Sequence, residues 1–130
     1  MNNQINEEVL FKTTPDKLYG VLTDADQFSE MSGGAPTEIQ PAEGGSFSLF
    51  GGMITGRTIE LAQNQRIVQA WRAGNWEEGK YSLVSFVFEV VEEGTLLQFE
   101  HIGFPEGQGE HLTKGWTENY WNPLKNYLAK

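Results

Sequence analysis

The residues of this sequence best suited to proton transfer near neutral pH are its two histidines, His101 and His111. His101 follows Leu97 and Phe99 at alternate positions, which is the spacing of one face of a β-strand. That face is apolar, so we expect His101 to point into the protein interior and His111 to lie in solvent. A hydrogen-bonded core histidine is the favoured interpretation of His101. The alternative is a ligand-binding or proton-transfer role, with Tyr120 as a second proton-transfer group.

Other catalytic and metal-binding patterns are missing from the sequence. It has no cysteine, which excludes thiolate nucleophiles, disulfides and zinc bound through sulfur. Its histidines are not spaced as a helical His-x-x-x-His pair, and Glu100 is predicted to point away from His101. No Gly-x-Ser-x-Gly or phosphate-loop pattern is present. We therefore predict no catalytic residues, no metal, no cofactor and a protein that is not an enzyme.

Regularly spaced aromatic side chains indicate a different chemistry, the binding of an apolar molecule. Trp116 and Tyr120 lie one helical turn apart, and Trp71 shares a strand face with Ile67 and Gln69. Core packing is the simpler explanation of each ring, but indole and phenol groups beside an apolar space would also suit a small ligand. The predicted ligand-binding residues are Phe47, Leu49, Trp71, Phe86, Phe99, His101, Trp116 and Tyr120.

Charge restricts the partners. The chain carries 18 acidic and 9 basic residues, for a formal net charge of -9, and this field repels nucleic-acid phosphates and anionic lipids. No stretch has the length of a membrane span, and the N-terminus does not have the basic and apolar segments of a secretory signal. We expect a cytoplasmic protein that binds neither nucleic acid nor membrane. A basic protein surface or a neutral small molecule is compatible with this charge.

The elements that must position these residues follow from periodicity and turn signals. The segment from Ile5 to Thr13 predicts a strand, in which Glu7 interrupts the apolar face. Thr14 and Asp24 are the predicted N-caps of two short helices. The second helix should end at Ser32-Gly33-Gly34.

An antiparallel meander is predicted next, because turn dipeptides recur about one strand length apart. In its longest strand, Val84, Phe86, Phe88 and Val90 should share one apolar face. The predicted strands are Thr37 to Pro41, Ser46 to Phe50, Ile54 to Ala62, Arg66 to Ala73, Lys80 to Glu92 and Thr95 to Gly103.

The last segment changes to helical spacing. Apolar residues recur every four positions and predict one amphipathic helix from about Glu110 to Leu128. Pro123 should kink this helix near Asn122, because it removes the amide that would bond to the Asn119 carbonyl.

These elements predict a single α+β domain over residues 1–130, since a chain of this length builds one core. The simplest way to bury both apolar faces is a curved antiparallel sheet wrapped around the long C-terminal helix, with two short helices after the first strand. A cavity is expected where the sheet curves more than the helix can fill. We expect the domain to be a monomer.

Several stretches resemble a known family when they are taken in order. They are Gly44-Gly45-Ser46-Phe47 followed by Gly56, the strand from Arg66 to Arg72, and Gly115-Trp116 with Tyr120-Trp121 and Leu124. From Ile5 to Leu128 the chain resembles the C-terminal domain of the activators of the heat-shock protein 90 ATPase, in the START-like helix-grip superfamily. The resemblance implies a helix-grip fold and a chaperone as a protein partner. One such scaffold hosts carriers, cyclases, hydrolases and co-chaperones, so the fold does not by itself decide the function.

Three hypotheses follow. The first is a non-enzymatic binding protein that holds a small hydrophobic ligand in the helix–sheet cavity or docks on a chaperone. The second is a small cyclase or hydrolase of the same superfamily that uses His101 and Tyr120. The third is a module that dimerises through its aromatic-rich helix. The volume and lining of the space under the last helix should separate a ligand carrier from a protein that docks through its surface.

Overall fold

The structure is a computed structural model that describes residues 4–129. The ends of the predicted domain, residues 1–3 and 130, lie outside the described residues. Its strands are β1 (Gln4–Phe11), β2 (Glu38–Ile39), β3 (Ser46–Leu49), β4 (Ile54–Ala62), β5 (Arg66–Ala73), β6 (Ser82–Val91) and β7 (Gly94–Ile102). Its helices are α1 (Pro15–Thr23), α2 (Ala25–Met31), α3 (Gly109–Trp116) and α4 (Asn122–Leu128), with a 3-10 turn at Phe50–Gly52 and a π turn at Thr117–Trp121. No helix within residues 4–129 is long and apolar enough to cross a membrane.

The seven described strands form one antiparallel sheet with the order β1-β7-β6-β5-β4-β3-β2. The meander runs in sequence order from β2 to β7, and β1 extends it by pairing with β7, for example Val9 with Leu97. A bulge between Thr58 and Glu60 in β4 adds to the local twist of the sheet. The curved sheet packs its inner face against α3, the π turn and α4, which confirms the predicted α+β helix-grip fold.

The core lies between the inner face of the sheet and this C-terminal helical segment. Val84, Phe86 and Phe88 of β6 are buried there, next to Phe99 of β7, because alternate strand residues point to the same face. Val90 differs from the prediction. It continues the same alternation but is 73% exposed, because it lies at the end of β6 beyond the residues that the helices cover.

The two short helices form where they were predicted, with one difference in capping. Asp24 caps α2 by accepting a hydrogen bond from the Gln27 amide at 2.9 Å. Thr14 occupies the N-cap position of α1, but its side chain makes no capping hydrogen bond within the described chain. The nearby Thr14 hydroxyl lowers the pKa of the Asp16 carboxyl below its ordinary value, because it favours the charged form. Both helices bury their apolar side chains in the core that the sheet also lines.

The C-terminal helical segment is not one regular α-helix. Between α3 and α4 it widens into the π turn, in which the Asn122 amide donates to the Thr117 carbonyl five residues earlier. Pro123 lies in the first turn of α4, where a missing amide costs little. The predicted irregularity near Asn122 is therefore present, but as a π turn ahead of the proline. The wider turn lets the adjacent residues Tyr120 and Trp121 both reach the core.

Gly56 separates two bulky inner side chains. It pairs with Phe47 on one neighbouring strand and with Trp71 on the other. A Cβ atom there would lie 1.9 Å from the Ala70 carbonyl oxygen and 2.6 Å from the Phe47 ring. The Gly56→Ala variant should therefore lower the free energy of unfolding in urea by about 3 kcal/mol.

Gly20→Ala is the matched control for this prediction. A Cβ atom at Gly20, in α1, would meet only the Gln27 side chain, at 3.6 Å. This variant should raise the free energy of unfolding by about 0.5–1 kcal/mol, because alanine favours the helix. Similar effects of the two substitutions would contradict the close contact at Gly56.

Candidate functional site

His101 on β7 is held by hydrogen bonds at both of its ring nitrogens, and its side chain is fully buried. The indole N–H of Trp116 on α3 donates to His101 Nδ1 over 3.0 Å. Ser82 Oγ on β6 lies 2.6 Å from His101 Nε2, and the same hydroxyl donates to the Trp71 carbonyl oxygen on β5 over 3.1 Å. This chain of hydrogen bonds joins three strands to α3.

The direction of these bonds assigns the proton on His101. An indole N–H can only donate, so Nδ1 must accept and the proton lies on Nε2, which donates to Ser82. Burial lowers the pKa of His101 from 6.5 to about 3, so the ring is neutral at physiological pH. No three His, Asp or Glu side chains within residues 4–129 come together in a way that could hold a metal ion. The surroundings of His101 are those of a core histidine.

Trp116 lies at the centre of an aromatic cluster between α3 and the sheet. Its ring centroid is 4.2 Å from that of Tyr120, 4.4 Å from Phe99 and 5.3 Å from Trp71. Aromatic pairs of this kind contribute roughly 0.5–1.5 kcal/mol each beyond the area they bury. The cluster therefore fixes the helical segment on the sheet.

The space under the helical segment is filled at one end. Phe47, Leu49, Phe86 and Tyr120 border a gap of only about 10 Å³, which is about the room that one water molecule needs. This end of the fold cannot accept an organic molecule without rearranging.

The other end opens as a cleft of about 690 Å³. Residues 50–54, the end of β5 with the turn after it, and one side of α3 form its walls. Buried rings of Trp71, Trp76 and Trp116 line its inner part, and the more exposed side chains of His111 and Asn119 line its entrance. This size suits a drug-sized molecule.

The described walls of the cleft have one imidazole, that of His111 at the entrance, and no permanently charged side chain. Of the seventeen described residues that line the cleft, none is Asp, Glu, Lys or Arg, in a chain that has 18 acidic and 9 basic residues. Such walls would not stabilise an ion that has left water. The cleft therefore fits an uncharged molecule.

The structure does not gather the eight predicted ligand-binding residues around one space. Three of them line the cleft: Trp71, Trp116 and Tyr120. Three others border the filled gap, together with Tyr120: Phe47, Leu49 and Phe86. The remaining two line neither space and pack against Trp116: Phe99 and His101.

Trp76 is a cleft residue that the sequence patterns missed. It lies in the turn after β5, where strand alternation assigns no inward or outward direction. Arg72 holds this turn by donating to the carbonyl oxygens of Trp76 and Glu77. One signal in the sequence could have identified it: a single tryptophan among turn residues suggests a buried ring, because so large an apolar side chain is seldom left in solvent.

Three donor groups at the cleft have no hydrogen-bond partner among residues 4–129: Trp71 Nε1, Trp76 Nε1 and the Tyr120 hydroxyl. Burial raises the pKa of Tyr120 well above its ordinary value, and the nearby Trp71 indole opposes that shift only in part. The Trp71 and Tyr120 groups are close, but they do not form a hydrogen bond of normal geometry. Each buried donor without an acceptor costs about 1–3 kcal/mol. These groups therefore destabilise the domain unless another molecule supplies acceptors.

One edge of the cleft has a strained backbone. Phe50 has a φ angle of 54°, followed by 68° at Gly51 and 94° at Gly52. A positive φ is rare for a bulky side chain, and such strain is concentrated at binding sites. Contacts with Phe28 and Tyr120, at centroid distances of 5.5 and 5.7 Å, hold the Phe50 ring in place.

Comparisons with known proteins agree with this architecture. The family model described as "Activator of Hsp90 ATPase homolog 1-like protein" matches residues 12–129. The chain is 31% identical over 119 residues to the activator of 90 kDa heat shock protein ATPase homolog 2 of Mus musculus, an alignment that covers 92% of this chain and 36% of that protein. It is 29% identical over 115 residues to homolog 1 of Homo sapiens, covering 88% and 34%. The chain thus spans about a third of the length of these curated relatives.

Solved structures are similar over nearly the whole chain. The crystal structure of an HSP90 activator from Plasmodium falciparum has a TM-score of 0.87 and 32% identity, and covers 97% of this chain and 94% of its own. The solution structure of the Aha1 dimer from Colwellia psychrerythraea has a TM-score of 0.80 and 24% identity, with coverage of 96% and 95%. At that identity the second likeness shows the fold alone.

The buried neutral His101 should make stability depend on pH. Its pKa is about 3 in the folded protein against an ordinary 6.5, so the unfolded chain binds the extra proton more readily. The stability that neutral His101 contributes is fully present above about pH 6.5 and is lost as the pH falls toward 3. Between about pH 7.5 and 5, the free energy of unfolding in urea should fall by about 2 kcal/mol from this residue.

His101→Gln removes the titrating group and should flatten this pH dependence. The control variant His111→Gln removes an exposed imidazole, so the pH dependence of its stability should match that of the native protein. NMR signals of the His101 ring that report protonation above pH 5 would contradict the buried neutral state.

Proposed function

This chain belongs to the family of activator of Hsp90 ATPase homolog 1-like proteins, and from this premise we propose that it is a non-enzymatic binding domain that docks on a chaperone of the Hsp90 class. The family match over residues 12–129 carries the proposal. The HSP90 activator from Plasmodium falciparum, at 32% identity, supports it. Because the chain spans about a third of its curated relatives, the proposal concerns docking and not activation of the ATPase.

The outer face of the sheet is the surface that we propose for docking. Leu83 and Val87 of β6 are 39% and 37% exposed there, and Ile59, the unpaired residue of the β4 bulge, is 51% exposed. Half-buried Val68 and Ala70 of β5 lie between them. Neighbouring exposed apolar side chains are typical of protein contact sites. We call Ile59, Val68, Ala70, Leu83 and Val87 the outer patch.

A second binding function is supported by the cleft, whose volume of about 690 Å³ suits a small hydrophobic ligand. We propose that Trp71, Trp116 and Tyr120 contact this ligand directly. The other predicted ligand-binding residues are assigned a supporting role, because Phe99 and His101 pack behind Trp116.

A cyclase or hydrolase function receives less support from the geometry. His101 does not line the cleft, and both of its ring nitrogens are already engaged. Burial raises the pKa of Tyr120 well above its ordinary value, so this phenol does not ionise readily. A proton-transfer pair would require large rearrangement of both residues.

A monomeric state in the cytoplasm completes the proposal. The aromatic edge of the helical segment, which a dimer of the third hypothesis would use, is buried against the chain's own sheet at Trp116, Tyr120 and Trp121. The absence of cysteine fits a reducing compartment.

The docking proposal predicts saturable binding to a purified Hsp90-class chaperone, measured by calorimetry. The double variant Leu83→Thr/Val87→Thr keeps β-forming side chains but removes apolar surface, and should weaken binding about tenfold or more. Val90→Thr, an exposed site at the end of β6 outside the outer patch, is the matched control and should bind normally. A native protein that does not bind the chaperone would refute docking, and a double variant of unchanged affinity would exclude the outer patch.

The ligand proposal predicts that the uncharged dye Nile red binds in the cleft with increased fluorescence. Gly115 lines the cleft, and a Cβ atom there would meet only the Asn119 side chain, at 3.8 Å. Gly115→Leu should therefore project a bulky side chain into the cleft and reduce the fluorescence increase without unfolding α3. Gly115→Ala adds one methyl group and should retain dye binding. An equal signal from all three proteins would place the dye elsewhere.

A further inference from the structure

The four tryptophans of the chain divide into two pairs by the state of their indole N–H groups. Trp116 donates to His101 Nδ1 over 3.0 Å and Trp121 donates to Glu7 Oε1 over 2.7 Å. Trp71 and Trp76 have no acceptor within residues 4–129, and both line the cleft. Tyr120, the third donor without a partner, lines the same cleft. The unsatisfied donors are therefore concentrated at one place.

We infer that the cleft takes an uncharged, flat aromatic molecule bearing carbonyl-type oxygens, and that Trp71, Trp76 and Tyr120 recognise it by donating hydrogen bonds to those oxygens. The inference rests on the proposed ligand-binding function of the cleft and adds the chemistry of the ligand.

The donor groups specify the polar part of this ligand. An indole N–H donates and cannot accept, so two of the three groups can be satisfied only by an acceptor atom. A site built to hydrogen-bond a polar group discriminates strongly against an analogue that lacks it, because the buried partner is then left unpaired. The ligand must therefore present oxygens toward the inner part of the cleft.

The walls specify the remainder of the ligand. Their lack of Asp, Glu, Lys and Arg disfavours an ion. The rings of Trp71 and Trp76 meet at 64° with centroids 5.6 Å apart, and indole faces prefer aromatic partners. Four glycines also line the cleft and leave room for close approach of a flat molecule: Gly51, Gly52, Gly74 and Gly115.

Access to the donors requires movement at the edge of the cleft. The three donor atoms have almost no solvent-accessible surface, and the Phe50 ring packs on Tyr120 at a centroid distance of 5.7 Å. The strained 3-10 turn Phe50–Gly52 and the 69%-exposed Met53 form that edge. Relief of the strain at Phe50 would offset part of the cost of moving it.

Fluorenone, fluorene and fluorene carboxylate provide a matched set of probes for the full chain. The three molecules share a flat ring system. Fluorenone has a neutral carbonyl oxygen, fluorene has no hydrogen-bond acceptor, and fluorene carboxylate carries a negative charge. We expect fluorenone to bind at least about fivefold more tightly than either of the others. In proton–nitrogen NMR spectra, fluorenone should move the indole N–H signals of Trp71 and Trp76 downfield relative to fluorene, while those of Trp116 and Trp121 serve as internal controls.

Tyr120→Phe tests the third donor without removing the ring. It should weaken fluorenone binding about 2- to 10-fold, leave fluorene binding within about twofold, and raise the melting temperature because it removes an unsatisfied hydroxyl. Tyr81→Phe, at a 53%-exposed position outside the cleft, is the control and should change none of these.

The outcomes separate this inference from the proposed function. Equal binding of fluorenone and fluorene, without differential movement of the Trp71 and Trp76 signals, overturns the donor assignment and leaves the cleft as a site for apolar molecules. Equal or tighter binding of the carboxylate overturns the uncharged character of the ligand. Failure of all three probes to bind overturns both the inference and the ligand-binding function. Docking on a chaperone is tested separately, by the calorimetric binding experiment.

Discussion

The hydrogen bond from Trp116 to His101 is the constraint on which the rest of the structure depends. It lies in the apolar core, where leaving either group unpaired would carry the full cost of removing it from water. The bond forms only if α3 occupies one position along β7, so it sets the register of the helical segment on the sheet. The contacts of the Trp116 ring with Phe99 and Trp71 follow from that position, and so does the division of the space beneath the segment into a filled end and an open one.

The π turn adapts the remainder of the segment to this register. In a regular α-helix, side chains five residues apart diverge widely around the axis, so Trp121 would not lie on the same side as Trp116. The wider turn brings Trp121 back toward the sheet, where its ring stacks with that of Trp116 at 5.6 Å and its N–H reaches Glu7. Tyr120 is placed between the filled gap and the cleft by the same turn. A local irregularity thus serves the packing of three aromatic rings.

The sheet and the helical segment could be predicted from spacing, because the burial of an apolar face is encoded locally as a period along the chain. The cleft could not. Whether the space is filled depends on the summed volumes of side chains from distant elements, such as Phe47 and Phe86 at the filled end, and on a turn that directs Trp76 inward. Glu7 illustrates the same limit. The sequence shows it as an interruption of an apolar strand face, but its hydrogen-bond partner Trp121 lies 114 residues away and cannot be identified from the local pattern.

The strand order places β2 and β1 at the two edges of the described sheet. An unpaired edge is a template on which strands of other molecules can add, and repeated addition leads to fibrils. Here β2 is only two residues long and lies between Pro36 and Pro41, which have no amide hydrogen to donate. At the opposite edge, β1 presents the exposed carboxylate of Glu8 to any approaching copy. The same layout that opens a cleft therefore also protects the domain against edge-to-edge polymerisation.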